Sequence, residues 1–109
     1  MAEPGLTDVF GANAVQDANT LTLTKADFVA VGLTPSANNS SESLLTAIIK
    51  RAETALTVTA QDSNPDQNIS IEEGISSLPI RNNVSYRRNQ RVINFDKIDN
   101  QSTLDPDDY

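Results

Sequence analysis

Bulky apolar side chains in this sequence gather in two blocks, residues 44–58 and 69–98, and their spacing changes between the two. In the first, Leu44, Leu45, Ile48, Ile49, Ala52, Ala55 and Leu56 recur at three- and four-residue intervals. That period lays them along one face of an α-helix. In the second, the pairs Ile69/Ile71, Leu78/Ile80, Val84/Tyr86 and Ile93/Phe95 recur every other residue, as strands with one covered face do. The expected class is α+β, with one amphipathic helix packed on a small antiparallel β-meander. Apolar residues are 38% of the 109 and aromatics 5%, so the chain is one small domain with a thin core.

The boundaries follow from local signals. Asn39-Ser40-Ser41-Glu42 reads as a capping box, with Asn39 as the cap and Glu42 reaching back, and predicts a helix over about residues 40–57. Leu21 and Leu23 alternate with Thr20, Thr22 and Thr24, a short edge-strand pattern. Gly32 and Pro35 mark a linker, and residues 61–68 form a polar turn. Gly74, Asn82-Asn83 and Arg88-Asn89-Gln90 divide residues 69–98 into three or four short strands. Pro79 places its segment at an edge. Residues 1–19, poor in bulky apolar groups apart from Val9 and Phe10, are expected to be an extended arm. Residues 20–98 then form the domain, and residues 99–109 an acidic tail.

Composition removes whole classes of chemistry. With no cysteine and no histidine, the chain has no disulfide, thiolate nucleophile or imidazole base, and none of the usual zinc ligands apart from carboxylates. No phosphate-cradling glycine loop or nucleophile elbow occurs, and the expectation is a protein that is not an enzyme. Fifteen acidic and eight basic residues give a net charge of −7. That balance argues against binding nucleic acid or an anionic membrane, both of which need surplus cations.

Three features invite a functional reading. Residues 62–73 resemble a calcium loop, with Asp62, Asn64 and Asp66 at positions one, three and five, an Asn68 carbonyl, and Glu73 at the bidentate twelfth position. Gln67 occupies the glycine position, and Pro65 is foreign to such loops. A plain helix-to-strand turn is the alternative. The second feature is Arg81, Arg87, Arg88 and Arg91, half of the basic residues within eleven positions. Guanidinium forks pair well with carboxylates, so these arginines form a candidate interaction patch. The third is the acidic arm, Asp99, Asp105, Asp107, Asp108 and Tyr109 with its closing carboxylate. Copies meeting patch to arm would assemble head to tail; a solvated hairpin and tail are the alternative.

Thr22-Leu23-Thr24-Lys25-Ala26-Asp27, Leu33-Thr34-Pro35-Ser36-Ala37-Asn38-Asn39, Glu42 to Ile48, and Ser102 to Tyr109 together resemble short uncharacterised virion-associated proteins of cyanobacterial tailed phages and prophage-like clusters. The resemblance implies a structural or assembly role in a phage-like particle: capsid decoration, or a small head, neck or tail part. The partners would be other virion proteins and copies of itself, with no small-molecule substrate. The start of the chain has no basic and apolar leader pattern, so the expected course is synthesis in the host cytoplasm and then assembly. Two rival expectations stand beside it: a small acidic effector that binds a basic host-protein surface, and the calcium module.

Overall fold

The computed structural model describes residues 2–97 and 104–109, apart from the side chain of Asp108. It is a small α+β fold, and its spine is helix α2, Ser41–Ala55. Ser40 caps this helix, its hydroxyl accepting from the Ser43 N–H at 3.1 Å. Asn39, the expected cap, instead closes the preceding turn: its amide donates to the Thr34 carbonyl and accepts from the Ser36 N–H. Both residue types cap well, and the sequence motif does not say which of two adjacent candidates faces the free N–H groups.

The two halves of α2 serve two small cores. In the first, Ala47 meets Phe28 and Leu33, with Leu23, Val31, Leu44 and Ile48 around them. Phe28 comes from a 3-10 helix, Lys25–Val31, within the stretch expected to be a linker. In the second core, Ala52, Leu56 and Ile71 are joined by Val9, Ala55 and Ile69. Leu45, counted above with the apolar face, is exposed.

The N-terminal segment is not an extended arm. Leu6–Phe10 forms helix α1, which packs against α2, and Val15–Gln16 (β1) pairs antiparallel with Leu21–Thr22 (β2). The turn between β1 and β2 is closed by Asp17, whose carboxylate accepts from the N–H groups of Asn19 and Thr20, both at 2.8 Å. Gly11 is buried with φ +111°, and a Cβ there would lie 2.5 Å from that of Asp27. That close approach lets both oxygens of Asp27 accept from Asn13, backbone and side chain, at 2.8 Å each.

Helix α2 breaks at Leu56–Thr57, and a short helix α3 follows, Val58–Ser63. The Thr57 hydroxyl takes the Ala60 N–H, at 3.0 Å, that would otherwise reach back to the Leu56 carbonyl. That carbonyl accepts from the Ile71 N–H at 2.8 Å instead. The cap therefore ends one helix, starts the next and joins both to strand β3, Ile69–Glu73.

β3 pairs antiparallel with β6, Arg91–Phe95, from Ile69↔Phe95 to Glu73↔Arg91. Ser77 bridges Arg88, and Ile80–Arg81 (β4) pairs with Val84–Ser85 (β5). These pairings are one long hairpin, where the alternation suggested a meander of three or four strands. The chain reverses at Asn82-Asn83, both with positive φ (51° and 63°); the left-handed region is one asparagine tolerates and two-residue hairpin turns require. The other two turn signals face each other across the ribbon. The Gly74 N–H donates to the Gln90 carbonyl at 2.8 Å, and three residues, 74–76, oppose two, 89–90. That mismatch is a β-bulge. Pro79 lies in a two-stranded ribbon, whose strands are both edges.

Candidate functional site

Beyond the bulge the ribbon leaves the body. The radius of gyration is 16.2 Å, against about 13 Å for a compact chain of this length. Ile75 and Ile80 are 80% and 72% exposed, and Leu78, Val84 and Tyr86 are exposed as well. Register sorts these side chains. Pro79, Arg81, Val84, Tyr86 and Arg88 share one face; Leu78, Ile80 and Arg87 share the other. Both faces thus combine apolar groups with arginine, and neither packs on the body. An isolated two-stranded hairpin is marginal in water, so five large exposed apolar residues on one make it a candidate contact surface.

The arginine patch divides in two. Arg91, at the base, donates from Nε to Glu53 of α2 at 2.6 Å. That bond, with the nearby Glu53 charge, holds its pKa above the ordinary value, and it ties the ribbon's root to the spine. Arg91 therefore belongs to the fold and not to the free patch. Arg81 stacks on Tyr86, its guanidinium carbon 4.3 Å from the ring centre, a cation–π contact that orders both. Among the described residues no carboxylate pairs with Arg81, Arg87 or Arg88. No acidic residue occurs between Glu73 and Asp96.

The acidic arm lies elsewhere. Asp99 and the side chain of Asp108 fall outside the described residues. Asp105 accepts from the Asp107 N–H at 3.0 Å and opens a 3-10 turn, Pro106–Asp108. That turn delivers Tyr109 against Phe95, edge to face at 5.9 Å, with the Lys97 ammonium 5.4 Å from the tyrosine ring centre. Phe95 is at the root of the hairpin, and Arg81, Arg87 and Arg88 are toward its tip. Among the described residues of one chain, patch and arm are not brought together.

The calcium-loop residues are also dispersed. Asp62 ends up in α3, and the Asn64 side chain is engaged with the Ala2 carbonyl and the Asp66 N–H. Asn68 receives the Asp96 N–H on its carbonyl, and Glu73 is at the far end of β3. Among the described residues no group of three or more acidic side chains is placed to hold a metal ion. Gln67, at the loop's glycine position, is a buried brace instead: its amide donates to the carbonyls of Thr57 and Ile69. Sequence reasoning missed this role, because a lone glutamine in a polar turn carries no signal of burial.

No helix among the described residues is long and apolar enough to cross a membrane. No protein-family model, curated protein or solved structure matches the chain.

Proposed function

We propose that this chain is a non-enzymatic assembly subunit of a multi-subunit particle, of the tailed-phage kind its sequence resembles. It would dock on neighbouring subunits through the distal hairpin, residues 75–90. The observation that carries this reading is a ribbon with apolar side chains on both faces, arginines that pair with no carboxylate among the described residues, and no body behind it. Such a ribbon is stabilised when a partner covers it, and apolar anchors flanked by arginine are what interface centres are made of.

The test is mass spectrometry of purified source particles, alongside a variant in which residues 75–89 are replaced by Asn-Gly. That turn closes the ladder beside Gly74 and Gln90 and leaves the body intact. The expected result is a fixed copy number for the natural chain and loss of incorporation for the shortened one. Absence of the chain from particles, or equal incorporation of the shortened variant, refutes the proposal. The rival reading, an acidic effector on a basic host surface, draws on the negative body, but the arginine hairpin interrupts the continuous negative face it needs.

A further inference from the structure

Four arginines and no carboxylate fall within residues 74–95, so the rest of the chain holds fifteen acidic and four basic side chains, a net charge of −11. Charge is therefore segregated along the molecule. At the root of the hairpin, where α1, the end of α2 and β3 meet, lies an open groove of about 270 Å³. Val9, Phe10, Leu56, Ile69 and Tyr109 supply most of its wall, and Glu3 stands among them. Asp105 and Asp107 belong to the turn that delivers Tyr109 to this wall. Twelve residues separate Asn83 from Phe95, so the tip stands up to about 40 Å from the root along the ribbon.

We infer that this groove receives the hairpin tip of a second copy of the same chain. The inference rests on the proposed docking role of the hairpin and names its partner. The tip brings Tyr86 and Val84 flanked by Arg81 and Arg88; the groove offers an apolar floor with Glu3 at its wall and the carboxylates of Asp105 and Asp107 on the adjoining turn, against one nearby cation, Lys97, over the Tyr109 ring. Unlike charges bring the two together and like charges disfavour tip-to-tip or groove-to-groove pairing. Donor and acceptor are different surfaces of one molecule, so the contact is heterologous and leaves a free tip and a free groove on each pair. Repetition builds a ring or an open string.

The experiment uses the full chain in analytical ultracentrifugation. The natural chain should grow with concentration through species larger than a dimer, and the association should weaken by about tenfold or more at ~1 M salt. A donor variant, Tyr86→Ala with Arg88→Glu, and an acceptor variant, Glu3→Lys with Tyr109→Ala, should each be monomeric alone. Mixed, they should form a 1:1 dimer and stop there, since one intact tip meets one intact groove. Complementation also demonstrates that both variants are folded. A natural chain that stays monomeric, a mixture that stays monomeric, or growth that stops at a symmetric dimer overturns the inference. If the natural chain is monomeric yet the donor variant is lost from particles, the hairpin docks on a different subunit, and only the choice of partner has failed.

Discussion

In the body, Phe28, Leu33 and Ala47 close on one another until little of them meets water, whereas Ile75, Leu78 and Ile80 stand open on the hairpin. The two regions draw on similar residues and both have fully specified backbones. The body is specified by burial. The distal hairpin is specified by its turn and its ladder, and the hydrophobic free energy of its side chains is not yet realised. Burying each would contribute about 1.5–3 kcal/mol, a contribution that only a partner can release. A region with settled geometry and exposed apolar surface is what the proposed docking role requires, and this distinguishes it from a merely loose loop.

Equal chemical changes in the two regions should therefore have unequal consequences. Phe28→Ala should have the largest effect, destabilising the chain by about 3–5 kcal/mol, a large share of the ~5–15 kcal/mol that holds a domain together. Urea denaturation followed by circular dichroism measures it, and a loss below about 1 kcal/mol would remove the first core from the account. Gly11→Ala should cost about 2–4 kcal/mol, because an L side chain resists positive φ and the new methyl meets Asp27. The same titration reads it, and Asp27→Ala in the Gly11→Ala background should not recover the loss, because the Cβ at position 27 remains and the bonds from Asn13 are gone. Ile80→Ala should change the stability of the isolated chain by no more than about 0.5 kcal/mol. A core-sized loss there would mean that the tip is buried on its own body, and the contrast between the regions would collapse.

The smallest effect is a local one with pH. The N–H groups of Asn19 and Thr20, and then the Thr20 hydroxyl, hold the Asp17 carboxyl below its ordinary 3.8. A depressed folded-state value means that the turn's stabilisation is complete above pH 3.8 and is lost as pH falls through the lower folded value. NMR amide shifts of Asn19 and Thr20 should move in that acid window while those of Asn82 and Asn83 do not.

Much of the body was legible because its signals are local and redundant. The α2 periodicity spans four turns, and no other reading of it competes. The reversal at Asn82-Asn83 was legible too, because few residue pairs accept two positive φ angles. Gly74 and Arg88-Asn89-Gln90 misled, because a bulge and a turn draw on the same residues. The sequence has no means of saying that two such signals sit opposite each other. Helix α1 and the 3-10 helix were missed for a different reason: both are too short to hold a helical period and persist because α2 covers them.

For the candidate site, composition and residue order alone determined that four arginines stand together without a carboxylate among them, and that the rest of the chain is strongly acidic. Composition and order along the chain are properties of a string, and they hold whatever the fold. Only the tertiary structure decided that Arg91 pairs with Glu53, that Arg81 lies over Tyr86, and that Tyr109 reaches Phe95 at the hairpin's root. Those outcomes depend on which groups are brought within a few ångströms by contacts remote in sequence. Ion pairing, stacking and desolvation act only over such distances, so no reading of the string could have assigned them.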